Sequence, residues 1–289
     1  MQSEVLHDSR ISRIIELALM EDIGLGDMTS DAILTGSQLA RGTILAKQGG
    51  IVAGLEVAGL VFEYCDHSIT LTPAVSDGSI VEEGQPIGSL DGSAKGILQG
   101  ERTAVNFLQR MSGIATLTRK FVDAVAGTRA KITDTRKTVP GLRVLDKWAV
   151  RLGGGVNHRF GLDEMILIKD NHIVAAGSIG KAIESCKNYL RQYKTVVSIE
   201  VETKNLEEVR QVLSCGQVDR IMLDNFPLTT MNDAVNLIGG RVEVEASGGI
   251  TLANVRAIAE TGVDFISIGA LTHSVKALDI SLELSHIAG

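Results

Sequence analysis

Charged and hydroxyl side chains directly follow several short apolar runs in the second half of the sequence. The runs end in TDTRKT at residues 133–138, KDNH at 169–172, EVE at 200–202, DN at 224–225, SGG at 247–249 and GA at 269–270. If each run is a strand of a parallel barrel sheet, these side chains share the carboxyl end, where barrel enzymes carry their active sites. The spacing therefore predicts one polar site assembled from several strands.

The predicted site is rich in positive charge. Arg136, Lys137, Arg159 and Lys169 supply four cations, and His158 can add a fifth. The whole chain is acidic, with 28 Lys and Arg against 35 Asp and Glu and a formal net charge of −7. Clustered cations repel one another unless anions bind among them, so a polyanionic substrate is expected. The net charge argues against nucleic-acid and membrane-surface binding.

Glycines on the last strands indicate a phosphate site. Ser247, Gly248 and Gly249 precede a predicted helix, and Gly269 follows the next strand. Backbone amides exposed by glycine at a helix N-terminus bind phosphate, and late barrel strands are a usual place for such sites.

Two carboxylates complete the predicted site. Glu202 and Asp224 end adjacent strands and could accept hydrogen bonds from ribose hydroxyls or hold Mg²⁺ directly or through water. Ion pairing with Lys169 or Arg159 is the alternative role. Glu200 shares a strand face with Glu202 because side chains alternate, but Glu202 lies nearer the strand end and is preferred.

The elements that position these residues change in rhythm along the chain. A small α+β region comes first, with helices near 11–20 and 55–64, β-like pieces near 42–47, 69–75 and 87–90, and then a long helix over 101–125 with a possible break at Gly113. Strands follow near 130–134, 165–169, 196–202, 220–224, 242–246 and 265–268, with helices near 141–152, 178–189, 206–213, 229–238 and 252–261. Repeated strand–helix units without a G-x-G-x-x-G fingerprint favour a barrel over a doubly wound sheet.

Eight segments resemble the quinolinate phosphoribosyltransferase family. They are EDIGLGDMTS at 21–30, ERTAVNFLQ at 101–109, DTRKT at 134–138, GGVNHRFG at 154–161, IKDNH at 168–172, LDNF at 223–226, EASGGI at 245–250 and FISIGALT at 265–272. They run from one end of the chain to the other in the family's order, which is far more specific than any single motif.

The resemblance implies an N-terminal open α/β sandwich followed by a short, incomplete α/β barrel of seven strands. The expected domains are a sandwich over residues 1–113, a catalytic barrel over 114–274, and a C-terminal segment over 275–289, with a strand near 278–284, that returns to the first domain. The implied reaction is that of quinolinate with phosphoribosyl pyrophosphate, giving nicotinate mononucleotide, pyrophosphate and CO₂ in de novo NAD synthesis.

The resemblance also assigns roles to residues. Expected catalytic residues are Lys137, Lys169, Glu202 and Asp224. Expected substrate-binding residues are Arg102, Arg136, Lys137, Thr138, His158, Arg159, Lys169, Glu202, Asp224, Ser247, Gly248, Gly249, Ser267, Gly269 and His273. Mg²⁺ is the expected cofactor, held mainly by the substrate pyrophosphate, with Glu202 and Asp224 as further candidates.

The resemblance implies a homodimer in which each chain gives Arg102 to its partner's barrel; assembly beyond the dimer stays open. The start of the sequence lacks a basic region leading into an apolar one, and three scattered cysteines, Cys65, Cys186 and Cys215, suit a reducing compartment. We therefore expect a cytoplasmic protein.

Three other interpretations remain open at this point. Lys169 at a strand end could form a Schiff base, as in aldolase-like barrels, if its amine is neutral. The glycine-spaced segment 78–88 resembles a lipoyl or biotinyl domain, but no lysine stands at the expected hairpin tip. A neighbouring family with a similar barrel that acts in metal homeostasis would use a different substrate.

Overall fold

The structure is a computed structural model that describes residues 8–34 and 36–288, with side chains described to residue 284. The chain forms two compact units. The first contains the residues up to Arg119, the segment Thr138–Gly154 and the residues from Leu271 onward; the second contains Lys120–Lys137 and Gly155–Ala270. This division differs from the continuous ranges 1–113 and 114–274 expected from sequence, because residues 138–154 group with the first unit.

The first unit is built on an antiparallel sheet. Its strands are β1 (Leu39–Ala46), β2 (Gly50–Ile51), β3 (Thr70–Pro73), β4 (Ile80–Val81), β5 (Pro86–Ser93) and β12 (Ile280–Ala288). The main sheet has the order β12-β1-β5-β3, and β2 pairs with β4. Its helices are α1 (Ser9–Ile23), α2 (Met28–Ile33), α3 (Leu55–Cys65) and α5 (Arg143–Leu152). The last strand thus joins the sheet of the first unit, two residues later than the start expected at 278.

Helix α1 shows how the sequence sets these elements. The Asp8 side chain caps the helix by accepting a hydrogen bond from the backbone N of Arg10 at 2.9 Å. Ile11, Ile15 and Leu19 are buried at a spacing of four residues, so one face of the helix enters the core. The apolar spacing in the sequence predicts this face correctly.

The long helix α4 (Ala94–Ala124) is continuous through Gly113, so the possible break there does not occur. The absence of a side chain at Gly113 matters for packing. A Cβ at position 113 would overlap the backbone carbonyl of Lys276 and lie 3.1 Å from Cα of Ala277. Gly113 therefore permits close approach of the segment that leads into β12, and a larger residue would push that segment away.

The second unit carries a parallel six-stranded sheet. The strands are β6 (Lys131–Thr133), β7 (Ile166–Ile168), β8 (Ile199–Thr203), β9 (Arg220–Asp224), β10 (Glu243–Ser247) and β11 (Phe265–Ser267), in the order β6-β11-β10-β9-β8-β7. The helices are α6 (Asp170–Ala176), α7 (Ile179–Tyr193), α8 (Leu206–Cys215), α9 (Leu228–Ile238) and α10 (Val255–Glu260); the short α11 (Ala270–His273) follows β11. This is the incomplete α/β barrel that the sequence predicts.

The sheet has six strands in the described residues where seven were expected. Beside β6, the place of a further strand is taken by a single parallel bridge between Thr133 and Val156. Two backbone hydrogen bonds hold it, from Val156 N to Ile132 O at 2.9 Å and from Asp134 N to Val156 O at 3.3 Å. The glycines at 153–155 precede Val156, and this composition disfavours a longer strand.

Because all six strands are parallel, their carboxyl ends lie on one edge of the sheet, as the positional argument requires. In β9 the residues Ile221–Leu223 are buried and Asp224, at the end, is half-buried. Within the described residues, no helix is both long and apolar enough to cross a membrane.

Candidate active site

Lys169 and Glu202 meet at the carboxyl end of the sheet. Lys169 directly follows β7 and caps α6, where its backbone N donates to Nδ1 of His172 at 3.0 Å. Its Nζ lies 2.9 Å from Oε2 of Glu202, the fourth residue of β8. The pairing predicted as the alternative role of Glu202 is therefore present. Because Nζ of Lys169 is engaged by this carboxylate, the geometry argues against the Schiff-base interpretation, which needs a free amine.

Arg136 and Arg159 bring two further charges to this unit. Burial lowers the pKa of Arg159, and the nearby positive charge of Arg136 lowers it further, whereas Glu200 opposes both effects. Nη1 of Arg159 donates to the carbonyl of Met165 at 2.9 Å, which fixes one edge of the guanidinium. Two half-buried arginines that repel each other gain stability from a bound anion. Lys137, next to Arg136, is exposed.

A hydrogen bond links the residue that follows β9 to the last residue of β10. The backbone N of Asn225 donates to the carbonyl of Ser247 at 2.8 Å, and its Nδ2 donates to Oδ2 of Asp224 at 2.9 Å. Asn225 has a φ of +56° and Gly248 a φ of +91°. A Cβ at position 248 would overlap the side-chain amide of Asn225, so glycine is required there for space as well as for backbone conformation.

The segment after Gly249 differs from expectation. Helix α10 begins at Val255 and not at residue 252, so a loop separates the glycines from the helix. Asn254 closes this loop: its Nδ2 donates to the Gly249 carbonyl at 3.0 Å, and its Oδ1 accepts from Thr251 N at 2.8 Å. Nothing lies within 4 Å of a Cβ built on Gly249, so its surroundings are open to a ligand.

The remaining predicted residues divide between the two units. In the second, Ser267 is buried and its hydroxyl donates to the Ala246 carbonyl at 3.4 Å, while Gly269 is half-buried just after β11. Arg102, Thr138 and His273 belong to the first unit. Arg102 is exposed on α4, Thr138 accepts from Arg143 Nε at 3.1 Å, and His273 is exposed with Nδ1 2.6 Å from Ser274 Oγ.

The structure also reveals a buried charged network that the sequence analysis missed. Nε2 of His158 lies 3.0 Å from Oε2 of Glu200 and 3.5 Å from Oε1 of Glu245. Arg220 donates through Nη1 to Oε2 of Glu245 at 2.9 Å. Glu200 and Glu245 are both fully buried. The alternation of Glu200 with Glu202 and of Glu243 with Glu245 was the available signal, because charged residues two apart in a strand share one face.

The electrostatics of this network follow from burial. The pKa of Glu245 is raised to about 7, mainly by burial and also by the charge of Glu200, while Arg220 opposes the rise. Burial also raises the pKa of Glu200 to about 7, against the lowering effect of Arg220 and Arg159. Burial alone would lower the pKa of Arg220, but the charges of Glu245 and Glu200 more than offset it. The half-buried Arg220 carries one positive charge, so the group that it forms with Glu200 and Glu245 is close to neutral when one of these carboxyls is protonated.

Two residue sets have the chemistry to hold a cation. Nε2 of His158 and carboxylate oxygens of Glu200 and Glu245 lie within 4.8 Å of one another, but Arg220 already supplies the positive charge there. Glu202 and Asp224 each have one carboxylate oxygen engaged, with Lys169 and with Asn225. The other oxygen of each suits Mg²⁺, which prefers hard oxygen ligands and retains several waters. The second set therefore fits the expected cofactor better.

The fold defines an α/β-barrel enzyme, with cationic side chains at the carboxyl end of its sheet. The quinolinate phosphoribosyl transferase N-terminal domain model matches residues 27–112, and the C-terminal domain model matches residues 114–283. The chain therefore belongs to the quinolinate phosphoribosyltransferase family.

Individual relatives agree with this assignment. A protein of Nicotiana glauca named quinolinate phosphoribosyltransferase [decarboxylating] 2, mitochondrial, is 48% identical, with 95% of this chain and 82% of the relative covered. The probable nicotinate-nucleotide pyrophosphorylase [carboxylating] of Bacillus subtilis is 44% identical, covering 96% and 94%. The crystal structure of NadC from Streptococcus pyogenes superposes with a TM-score of 0.90 at 38% identity, covering 96% of each chain. These matches argue against the lipoyl-type binding interpretation, since they extend over nearly the whole chain.

Proposed function

We propose that this chain transfers the phosphoribosyl group of phosphoribosyl pyrophosphate to quinolinate, with release of pyrophosphate and CO₂, to form nicotinate mononucleotide for NAD synthesis. The observation that carries the proposal is the set of cations Arg136, Arg159 and Lys169 in the parallel-sheet unit of a family member that is acidic overall. Quinolinate has two carboxylates and the donor has three phosphoryl groups, so both substrates match such a site.

The acceptor side needs positioning more than proton transfer. The pyridine nitrogen is the nucleophile and carries no proton at neutral pH, so no general base is required. Arg136 and Arg159 suit carboxylates because a guanidinium donates two parallel hydrogen bonds. Lys137 and Lys169 supply further charge to hold the 3-carboxylate. Fixing the ring nitrogen against the anomeric carbon can lower the barrier by about 7–11 kcal/mol in favourable cases.

The donor side develops positive charge. As the bond from the anomeric carbon to pyrophosphate lengthens, the ribose becomes oxocarbenium-like, and Glu202 and Asp224 stabilise that charge. After transfer the ring nitrogen is cationic. The bond from C2 to its carboxylate then breaks, CO₂ leaves, and the electron pair stays on C2 beside the cationic nitrogen until a proton from solvent adds there.

Mg²⁺ is part of the proposal. When bound, it neutralises the pyrophosphate that leaves. The pyrophosphate oxygens would supply most of its ligands, and Glu202 and Asp224 each have one carboxylate oxygen that could contribute directly or through water.

We also propose a homodimer in which Arg102 completes the partner's site. Three observations in the first unit support this. Arg102 is exposed, and it lies on the same face of α4 as Asn106 and Arg110, which line a cavity of about 460 Å³. Leu17 and Met20 on α1 are large apolar side chains that are 55% and 71% exposed, and Leu17 lines the same cavity. Exposed apolar side chains beside a cavity are typical of an interface.

The cytoplasmic location stays a prediction, since the Nicotiana glauca relative carries "mitochondrial" in its name. Fractionation of the source cells with compartment markers tests it.

The activity itself is tested with quinolinate labelled in its 2-carboxylate, phosphoribosyl pyrophosphate and Mg²⁺. We expect stoichiometric labelled CO₂ and nicotinate mononucleotide, with neither product when the donor is omitted. Absence of both products from folded protein would overturn the proposed function.

A further inference from the structure

His158 is held by three hydrogen bonds from three directions. Its backbone N donates to Oδ1 of Asp134 at 2.9 Å. Its ring Nδ1 accepts from the backbone N of Arg159 at 2.9 Å, and its ring Nε2 lies 3.0 Å from Oε2 of Glu200. The side chain is only 6% exposed. Each ring nitrogen therefore has a protein partner.

These partners define the tautomer of the ring. A backbone N–H only donates, so Nδ1 of His158 is an unprotonated acceptor toward Arg159. The ring proton is then on Nε2 and is donated to Glu200. The imidazole is neutral in this arrangement, so the positive charge of the site comes from the arginines and lysines, and His158 is not the fifth cation considered in the sequence analysis.

Glu200 lies beside Arg220 on the neighbouring strand, where the two residues are backbone register partners. The guanidinium of Arg220 binds Glu245 and lies 3.8 Å from the centre of the Phe265 ring. Arg220 also donates to Oε2 of Glu243, an exposed carboxylate, at 2.9 Å. The carboxyl of Glu200 is fully buried in this network, where its Oε2 accepts the hydrogen bond from Nε2 of His158.

The same carboxyl acts on Arg159 in a second way. Its negative charge raises the pKa of Arg159 against the lowering effects of burial and of Arg136. Glu200 therefore contacts Arg159 through the His158 ring and stabilises its charge through space.

We propose that Glu200 is a positioning residue that sets the backbone of Arg159 through the neutral ring of His158, and that it thereby controls affinity for the carboxylates of the acceptor without touching the substrate. The proposal rests on the proposed function, because it names Arg159 as an acceptor contact. It assigns a role to a buried carboxyl, that of Glu200, which the proposed reaction itself does not use.

The test compares two substitutions at one position. Glu200→Ala removes the acceptor of the His158 proton, whereas Glu200→Gln keeps an oxygen acceptor of the same length. We expect the alanine variant to raise KM for quinolinate by up to about 100-fold, as for a group misplaced by 1 Å, with KM for phosphoribosyl pyrophosphate nearly unchanged. The glutamine variant should recover most of the affinity. Glu243→Gln is the matched control, since this more exposed carboxylate shares Arg220 and should leave both KM values unchanged.

A second measurement tests the proposal in protein that keeps Glu200, by locating the ring proton of His158. Protein with ¹⁵N-labelled histidine shows which ring nitrogen is protonated. The chain has six histidines, and the signals of His158 are those that disappear in His158→Gln. We expect the ring proton of His158 on Nε2. A proton on Nδ1 would overturn the proposal even if Glu200→Ala fails to fold. Equal rises in both KM values, or a glutamine variant as impaired as the alanine variant, would also overturn it. These outcomes differ from a failure of the proposed function, because in that case the unsubstituted protein itself would form no product.

Discussion

The Nζ atom of Lys169 lies 2.9 Å from Oε2 of Glu202, so the residue that follows β7 and the fourth residue of β8 form an ion pair at the carboxyl end of the second unit's sheet. The pair joins a cation proposed for the acceptor side to a carboxylate proposed for the donor side. Because the lysine is 46% exposed and the glutamate 11%, solvent screens the pair and its contribution to folding stability is small.

The ion pair gives the first prediction. Glu202→Gln should lower kcat by roughly 10²-fold or more, because a charge that stabilises the transition state is lost, while stability changes by less than about 1 kcal/mol. Steady-state kinetics and urea unfolding measure the two effects. Glu184→Gln, which removes the carboxylate of an exposed pair with Arg191, is the control and should change neither. Loss of stability in proportion to loss of activity would indicate a structural role for Glu202.

Asp224 gives the second prediction. Asp224→Asn should weaken use of phosphoribosyl pyrophosphate and leave quinolinate binding nearly intact, because Asp224 is assigned to the donor side. Separate KM measurements for each substrate, with direct binding of quinolinate, test this. Asn225 donates a hydrogen bond to Asp224, so Asn225→Ala shows how much of the effect on substrate use comes from losing this hydrogen bond alone. If Asp224→Asn weakens both substrates equally, the residue is structural.

The cation set gives the third prediction. Nicotinate lacks the 2-carboxylate of quinolinate, so it should be a poor substrate. Arg159→Ala should cost about 2–5 kcal/mol in kcat/KM for quinolinate, as for a desolvated charge pair that loses one partner. Comparable kcat/KM values for the two acids would contradict the idea that both carboxylates are bound.

The proposed dimer gives the fourth prediction. Arg102→Ala and Lys137→Ala should each be nearly inactive. If Arg102 serves the partner's site, a mixed dimer has one site with both substitutions and one site with neither. Random pairing after joint unfolding and refolding makes about half of the dimers mixed, so about a quarter of all sites should recover full activity.

The control for this mixing experiment is refolding of each variant alone, which should recover nothing. Differently tagged chains show by pull-down that mixed dimers form. Mixed dimers without recovered activity would mean that Arg102 serves its own chain.

Glu245 gives the fifth prediction, on pH. Its pKa in the folded protein is raised from 4.5 to about 7, mainly by burial, with Glu200 adding to the rise and Arg220 opposing it. The folded state therefore keeps a proton that the unfolded chain releases above about pH 4.5. This contribution to stability is present below pH 4.5 and is lost as pH rises through about 7.

Glu245→Gln removes that titration. Relative to the variant, the free energy of unfolding of the unsubstituted protein should fall by on the order of 1–3 kcal/mol between pH 5 and pH 8. Urea unfolding across this range measures the difference. Glu243→Gln, at the more exposed partner of Arg220, should keep the original pH profile. Parallel profiles for the Glu245 variant and the unsubstituted protein would refute the assignment.

The sequence predicts much of the second unit because its signals are local. Each apolar run of the barrel is short and ends in polar residues, so the strand ends at Lys169, Asp224 and Ser247 follow from the pattern alone. The pattern predicts the face of the strand on which a side chain lies, but it does not predict which residue from another segment contacts that side chain. Glu200 was therefore set aside in favour of Glu202, although it is the residue that binds His158.

Other differences have equally physical reasons. Gly113 looks like a helix break because glycine disfavours helix, but the approach of Lys276 that requires it involves a residue far along the chain. The missing strand is reduced to one bridge at Val156, where a run of glycines weakens pairing. Long-range approaches of this kind leave no periodic signal in the sequence.

The pairing of β1 with β12 has a consequence for synthesis on the ribosome. One edge of Leu39–Ala46 stays uncovered until Ile280–Ala288 has been synthesised. The two strands are more than 230 residues apart in the chain. All six strands of the parallel sheet emerge earlier, because β11 ends at Ser267. The later-encoded unit can therefore fold while the first-encoded one still exposes one edge of β1, whose other edge pairs with β5. A chaperone that shields β1 during translation would act on this chain until its last strand is released.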